Sequence, residues 1–354
     1  MRILQVMAGN EHGGAETAFV DMCIAMHQAG ESIEVVTRKN EGRVPLLQKA
    51  GIKVHILPFG GAIDIFTPLC MKKIICAFKP DIVQTWMSRA AAKTPRWTAS
   101  MGIPRYYNFA RLGGYYKVKY FQNMDFFVTI TPDLKRHLVE SGIEEGRVRH
   151  INNFAETEDV IEPLNRVDYG VPENALLLLG LGRLHQAKAF DILIKAVAAL
   201  PDVYLWIAGE GPLRAELEAL IGDLKVNERV RLLGWRNDRA ALLQASDICF
   251  FSSRYEPFGT VFVQAWAQET PLITTLSQGP KQFVRHEEDC LAVEIDDLEG
   301  FKAAIKRLRD DKKLADKIVQ NGKKRYLNEF TKEKCVQAYL DYYHHAADQQ
   351  NQAA

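Results

Sequence analysis

Residues 1–28 of the chain read MRILQVMAGNEHGGAETAFVDMCIAMHQ, and the order of the parts in this stretch decides the fold class. The short apolar run at residues 3–7 has the length of a buried strand. A loop with two adjacent glycines follows, and residues 15–28 then have the periodicity of a helix. Strand, glycine-containing turn and helix in this order begin a βαβ unit, which predicts a parallel sheet.

The same order recurs along the chain in two series. The first series predicts strands at residues 33–37, 54–58, 82–85, 105–109 and 126–130, a last short strand around 148–154, and helices at 44–50, 67–78 and 132–141. Residues 155–170 are acidic and poorly periodic, which indicates a linker. The second series predicts strands at residues 176–182, 204–209, 230–233, 248–252 and 272–274, and helices at 187–200, 212–220, 239–245 and 261–267. We therefore predict an α/β protein with two Rossmann-like doubly wound domains, at residues 1–160 and 161–335, and a terminal helix within 336–354.

Composition limits the classes of function. The 45 Lys and Arg residues against 44 Asp and Glu leave a formal charge of +1, which provides no general field for binding nucleic acid. The six cysteines are scattered without metal-ligand spacing, and we interpret them as reduced thiols. Neither a signal peptide nor a run of about 18 apolar residues stands out, so we expect a cytoplasmic protein.

The stretch at residues 252–267, SSRYEPFGTVFVQAWA, carries the most chemical information. A buried strand ends in a polar turn with Glu256, and a glycine and a threonine then open a helix. The carboxylate can accept hydrogen bonds from sugar hydroxyls, and the backbone N–H groups of Phe258, Gly259 and Thr260 can meet phosphate oxygens. This combination suits a nucleotide sugar. An acidic turn before an ordinary helix start is the alternative.

A second stretch, LGLGRLHQAKAFDILI at residues 179–194, places Arg183 and Lys188 directly after a buried strand. Both cations would lie at the carboxyl end of the sheet, where α/β folds bind ligands. There they can neutralise a diphosphate leaving group, on which charge builds during glycosyl transfer. The alternative is a pair of solvated cations at a helix start.

The loop after the first strand contains His12, Gly13 and Gly14. The two glycines would let the backbone approach a phosphate or a sugar closely. The loop is neither G-x-G-x-x-G nor a P-loop, which argues against nicotinamide and ATP. His12 is a possible substrate contact, although a lone loop histidine is more often solvated.

Five short motifs resemble the ordered motif set of the retaining glycosyltransferases of family four. In order along the chain they are Gly13-Gly14-Ala15-Glu16, Gly182-Arg183 with Lys188, Gly209-Glu210-Gly211-Pro212, Glu256-Pro-Phe-Gly259 and Ser277-Gln-Gly-Pro280. The resemblance covers about residues 1–340. It implies a GT-B fold, in which two Rossmann-like domains face each other across a cleft and a C-terminal helix crosses back to the first domain. It also implies a metal-independent reaction without a cofactor, whose co-substrate is a UDP- or GDP-linked sugar.

The resemblance assigns roles residue by residue. Arg183 and Lys188 would bind the donor diphosphate, and Glu256 would hold hydroxyls of the donor sugar. The remaining residues on the donor side would be Gly13, Gly14, Gly209, Glu210, Arg236, Phe258, Gly259, Thr260 and Gln264.

Two positions depart from the family pattern. The family has a glutamate for the ribose hydroxyls eight positions after the first, and this chain has Gln264. An amide keeps the hydrogen bonds but loses their charge-assisted strength. The family histidine near residue 109 is also absent, and Arg111 is the candidate that contacts donor or acceptor in its place. This is compatible with a front-face retaining mechanism, in which the leaving phosphate helps to deprotonate the acceptor.

The acceptor is expected on the first domain. Arg89 is a candidate for its side of the cleft. Lysines at residues 72, 73, 117 and 119 are interleaved with aromatics, which suits an anionic glycolipid at the inner face of a membrane. An ordinary amphipathic surface is the alternative. By analogy with the family, the process would be the synthesis of bacterial envelope polysaccharide or lipopolysaccharide. Two alternatives are a non-hydrolysing nucleotide-sugar epimerase and a nucleotide-sugar-binding protein that has lost catalysis.

Overall fold

The computed structural model describes residues 1–10, 13–61, 63–155, 160 and 162–351, with side chains up to residue 348. The chain forms two compact units, which we call unit 1 (Met1–Asn153 with Lys332–Ala354) and unit 2 (Phe154–Thr331). The chain thus divides after Asn153 and after Thr331. The sequence predicted these boundaries after residues 160 and 335.

Unit 1 contains a parallel sheet of seven strands in the order β3-β2-β1-β4-β5-β6-β7. The strands are β1 (Arg2–Met7), β2 (Ser32–Thr37), β3 (Lys53–Ile56), β4 (Ile82–Trp86), β5 (Tyr107–Leu112), β6 (Phe126–Thr129) and β7 (Val148–His150). The helices between them are α1 (Gly14–Gln28), α2 (Arg43–Lys49), α3 (Phe66–Phe78), α4 (Met87–Lys93) and α5 (Pro132–Glu140). All residues of β4, β5 and β6 are buried, because helices cover both faces of a parallel sheet.

Unit 2 contains a parallel sheet of six strands in the order β10-β9-β8-β11-β12-β13. The strands are β8 (Leu176–Leu181), β9 (Val203–Ala208), β10 (Val230–Gly234), β11 (Ile248–Phe251), β12 (Leu272–Thr275) and β13 (Leu291–Val293). The helices are α6 (Phe190–Ala198), α7 (Arg214–Asp223), α8 (Arg239–Ala245), α9 (Thr260–Ala267), α10 (Leu298–Asp310) and α11 (Lys312–Arg325). The two sheet orders are those of doubly wound Rossmann-like domains, which confirms the predicted fold class.

The last helix, α12 (Lys332–Asn351), belongs to unit 1 although it follows unit 2 in sequence. The Tyr342 and Tyr343 rings pack edge-on against Phe109 of β5, with ring centroids 5.3 and 4.8 Å apart. The Tyr343 hydroxyl donates to Oε1 of Gln84, a fully buried side chain of β4, at 2.8 Å. The helix therefore completes the core of unit 1. Among the described residues, no helix combines the length and the apolar character needed to cross a bilayer.

Three local predictions were wrong. Helix α4 and strand β13 were not predicted, and β5 runs from Tyr107 to Leu112 where the sequence indicated residues 105–109. The shift of β5 has a physical reason. The strand continues through Arg111, which pairs with Trp86 of β4 in the sheet and is buried.

Candidate active site

The loops that follow β8, β9 and β10 are bonded to one another at the carboxyl end of the unit 2 sheet. The Gly182 N–H donates to the Ala208 carbonyl at 3.1 Å, and the Leu184 N–H to the Glu210 carbonyl at 3.0 Å. The Gly209 N–H donates to the Gly234 carbonyl at 2.8 Å. The loops that carry Arg183, Glu210 and Arg236 are thus held side by side.

The loop after β11 is joined to the same edge on two sides. The Ser252 hydroxyl donates to the Lys188 carbonyl at 2.7 Å, and the Arg254 N–H donates to the Ala187 carbonyl at 2.8 Å. On the other side, the Gly279 N–H donates to the Glu256 carbonyl at 2.7 Å. The segments with Lys188, Glu256 and Gly279, far apart in sequence, therefore form one continuous edge.

Lys188 and Glu256 form an ion pair in this edge. The two side chains are 20% and 17% exposed, so that the pair is shielded from bulk water but open on one side. The Lys188 ammonium also lies 5.4 Å from the centroid of the Phe251 ring. The structure thus brings together the cation and the carboxylate that the sequence predicted for diphosphate and sugar.

Arg183 lies in the same loop as Lys188, and its side chain is exposed. In the described part of the chain its guanidinium makes neither a hydrogen bond nor an ion pair. Arg183 is therefore available for an anion that meets the carboxyl end of the sheet.

The start of α9 forms the wall beside Glu256. Gly259 precedes the helix with φ +88°, and a Cβ atom there would lie 2.5 Å from the Phe251 ring. No side chain caps α9, so that its first backbone N–H groups, from Thr260 onward, have no partner within the helix. Phe258 is 3% exposed and packs its ring against Phe262 and Phe283. The wall is therefore rigid and presents backbone donors beside a carboxylate.

Gln264 lies in α9, just over one turn after Thr260, and is 5% exposed. Glu210 and Arg236 are both engaged within unit 2. Glu210 pairs with Arg214 at 2.7 Å, and Arg236 pairs with Asp238 and reaches the Tyr169 hydroxyl at 3.3 Å. The hydrogen bond with Asp238 raises the pKa of the Arg236 guanidinium.

The sequence did not single out Arg254, which fixes the loop before Glu256. Its guanidinium donates to Asp191 at 2.8 and 2.9 Å, to Asp296 at 2.7 Å and to the Gln186 carbonyl at 2.8 Å. The hydrogen bond with Asp191 raises the pKa of Arg254. Arg254 is thus a positioning residue that joins the loops on either side of the Lys188–Glu256 pair.

The site residues predicted in the first half lie in unit 1. Gly13 precedes α1 and Gly14 begins it, directly after the β1 loop. His12 lies outside the described residues. Arg89 is exposed on α4.

Arg111, the predicted contact with donor or acceptor, lies in the interior of unit 1. Arg111 is part of β5 and is 1% exposed, with its guanidinium 4.3 Å from the Trp86 ring centroid. Its Nη2 donates to Asn153 Oδ1 at 2.7 Å, whereas Nε and Nη1 have no hydrogen-bond partner in the described part of the chain. Burial lowers the pKa of this guanidinium. Arg111 is thus an interior residue of unit 1, and its contact with donor or acceptor stays a prediction.

The chain is similar to known proteins along both of its halves. Residues 12–159 match the model described as Glycosyltransferase Family 4, and residues 162–325 match Glycosyl transferases group 1. Two proteins of Rhizobium meliloti (strain 1021) are similar over nearly the whole chain. The lipopolysaccharide core biosynthesis glycosyltransferase LpsE is 34% identical over 93% of this chain and 95% of its own, and LpsD of the same description is 31% identical over 96% and 97%.

Among solved structures, that of Anabaena Alr3699/HepE in complex with UDP has a TM-score of 0.80 at 19% identity, covering 97% of this chain and 99% of its own. At this identity the likeness concerns the fold, and it agrees with the GT-B class predicted from the motifs.

Proposed function

Since the chain belongs to glycosyltransferase family four, with a group 1 glycosyltransferase domain in its second half, we propose that it moves a sugar from a UDP-linked donor to a lipopolysaccharide-core glycolipid. The transfer retains the anomeric configuration and needs no metal ion. The observation that carries the proposal is the Lys188–Glu256 pair beside the exposed Arg183 and the uncapped start of α9.

The arrangement supplies the charges that the reaction requires. The bond from the sugar to the diphosphate breaks with negative charge building on the phosphate. Arg183 and Lys188 can receive that charge at the edge of the sheet, and the first N–H groups of α9 add hydrogen bonds to phosphate oxygens. Glu256 can accept hydrogen bonds from the sugar hydroxyls. Because two side-chain cations face the diphosphate, a divalent metal is not needed to neutralise it.

The donor and acceptor classes rest on the similar proteins. The Anabaena structure holds UDP, and both Rhizobium relatives are named for lipopolysaccharide core biosynthesis. We therefore choose a UDP-sugar over a GDP-sugar as the donor, and a lipid-linked core oligosaccharide as the acceptor. The reaction would take place at the inner face of the membrane, with the enzyme in peripheral contact.

The test begins with the thermal stability of the protein in the presence of UDP, GDP, ADP and the corresponding sugars. A ligand at 100 times its dissociation constant stabilises the folded state by about 2.7 kcal/mol. We expect UDP and one or a few UDP-sugars to raise the melting temperature, and the best donor to support transfer to a core acceptor with a product of unchanged anomeric configuration. An inverted product would refute retention. Binding without transfer would leave a nucleotide-sugar-binding protein, and an epimerised donor would identify an epimerase.

Removal of metal ions tests the role of the two cations. We expect the rate of transfer to be the same in excess chelator as in added magnesium or manganese, because Arg183 and Lys188 carry the neutralising charge. The measurement is the initial rate after dialysis against chelator. A rate that depends strictly on a divalent ion would contradict the cationic mechanism.

Gln264→Glu tests the departure from the family pattern. A carboxylate strengthens hydrogen bonds to ribose hydroxyls, so we expect UDP affinity to rise up to about tenfold. Without UDP the same carboxylate is desolvated at a position that is 5% exposed, and we expect the free energy of unfolding to fall by about 1–3 kcal/mol. Gln244→Glu, on the exposed face of α8, is the matched control and should change neither quantity. If UDP affinity is unchanged in Gln264→Glu, residue 264 does not face the ribose.

A further inference from the structure

The loop before α3 and the first turn of the helix expose large apolar side chains to solvent. Ile63, Ile65 and Phe66 are 92%, 75% and 59% exposed, and Leu69, one turn into the helix, is 60% exposed. Four large apolar side chains within seven residues therefore face solvent. Single exposed apolar residues are common on protein surfaces, but such a concentration marks an interaction site.

Hydrogen bonds of Asp64 and Thr67 fix the conformation of the same loop. The Asp64 carboxylate accepts from the Gly60 N–H at 2.7 Å and from the Thr67 N–H at 3.0 Å. The Thr67 hydroxyl, which is fully buried, donates to Asp64 at 2.5 Å and accepts from the Phe59 N–H at 3.1 Å. The hydrogen bonds from Thr67 lower the pKa of Asp64 to about 2, so that this carboxylate stays ionised even in mildly acidic solution.

A second contact ties the loop to the neighbouring helix. The Lys93 ammonium at the end of α4 donates to the Asp64 carbonyl at 2.6 Å. The apolar side chains on either side of Asp64 are thus presented beside a hydrogen-bonded framework.

The outer face of α3 continues the patch with positive charge. Met71 and Ile75 bury one face of the helix, and on the opposite face Leu69 is followed by Lys72 and Lys73 at helical spacing. Both lysines are exposed, and neither forms an ion pair in the described part of the chain. No acidic residue occurs from Ile65 to Pro80. Apolar side chains in the first turn are therefore followed by cations in the second.

This order fits the interface of an anionic bilayer. Apolar side chains enter the boundary between headgroups and acyl chains, while lysines reach the phosphates beside them. The loop also follows β3, and so lies at the carboxyl end of the parallel sheet, where ligands of α/β domains bind. We infer that residues 63–73, which we call the α3 patch, dock unit 1 on the surface of an anionic membrane.

A second copy of the chain fits the patch less well. In a symmetric dimer the same patch meets itself. The one carboxylate within residues 63–73, that of Asp64, is already bonded to Gly60 and Thr67, so that Lys72 and Lys73 of both copies would lack a free acidic partner in the patch. A bilayer with anionic lipid supplies the opposite charge. The inference rests on the proposed action on a glycolipid. Vesicle binding is measured without donor or acceptor, so that a failure of membrane docking is distinguished from a failure of the proposed sugar transfer.

The experiment is co-sedimentation of the full chain with vesicles of phosphatidylcholine alone or with about one third phosphatidylglycerol. We expect binding to the anionic vesicles, weakened by salt, and little binding to phosphatidylcholine. Ile65→Ser with Phe66→Ser should weaken binding at least about tenfold. Lys72→Gln with Lys73→Gln should weaken it about fivefold for each lysine.

Matched controls come from unit 2. Leu327→Ser replaces a leucine that is 51% exposed, and Lys312→Gln with Lys313→Gln removes two adjacent exposed lysines. Neither should change vesicle binding, and all variants should keep the melting temperature and UDP binding of the original chain. Equal binding by the α3-patch variants, or no binding of the original chain to anionic vesicles, would overturn the inference. Self-association that is lost in Ile65→Ser with Phe66→Ser, without vesicle binding, would replace it by a dimer contact.

Discussion

Glu256→Gln lowers the rate of sugar transfer by about 100-fold or more, while UDP binds with nearly unchanged affinity. An interaction that strengthens as charge develops in the transition state contributes about 100–1,000-fold to the rate. The amide retains the size of the carboxylate but loses the charge with which Glu256 pairs with Lys188 and, in the proposed reaction, would hold the sugar hydroxyls. UDP carries no donor sugar, so its affinity should not report this loss. The measurement is the initial rate at saturating donor, beside the dissociation constant of UDP.

The control for Glu256→Gln is Glu218→Gln, which neutralises an exposed glutamate on α7 and should leave the rate unchanged. Glu256→Asp keeps the charge but shortens the side chain, and an intermediate rate is expected. If Glu256→Gln transfers sugar at the original rate, the carboxylate has no part in the reaction.

Lys188→Met is the second substitution with a large expected effect. We expect it to lower both the affinity for the nucleotide and the rate of sugar transfer. Hydrogen bonds to charged groups contribute about 1.5–3 kcal/mol, so we expect the affinity for UDP and for the UDP-sugar to fall about 10- to 150-fold. Arg183→Ala should weaken both ligands in the same direction. The dissociation constants are measured by calorimetry, together with the melting temperature of the protein without ligand.

Lys195→Met is the matched control for Lys188→Met, because Lys195 is an exposed lysine on α6. A purely structural role of Lys188 makes a different prediction. If Lys188 only holds Glu256 in place, Lys188→Met lowers the melting temperature while UDP affinity stays the same. That result would remove Lys188 from the diphosphate site.

The parts of the fold predictable from the sequence are those with strong local signals. Short apolar strands before glycine-containing loops identified most strands of both sheets, because burial on both faces needs continuous apolar runs. Helix α4 lacks such a signal. The chain passes from Trp86 directly into the helix at Met87, which adopts φ +63° without a glycine or proline to mark the turn. Strand β13 has only three residues, too few for a pattern.

The residues of the candidate site could also be predicted from the sequence only in part. Lys188 and Glu256 were predictable because each follows a buried strand, and parallel strands end at one edge. The role of Arg254 depends on Asp191 and Asp296, which are far from it in sequence and come together only through the fold. Arg111 was predicted as a contact because the family histidine near residue 109 is absent from this chain. Its position over Trp86 depends on packing, which the sequence pattern does not contain.

The place of α12 in unit 1 has a consequence for how the chain acquires its structure during synthesis. Unit 2 is contiguous from Phe154 to Thr331 and can complete its core before the ribosome releases the last helix. Unit 1 begins before unit 2 but is completed after it, because Tyr342 and Tyr343, which contact Phe109 and Gln84, are synthesised after the whole of unit 2. A premature stop codon after Thr331 would therefore damage the half of the protein that was made first.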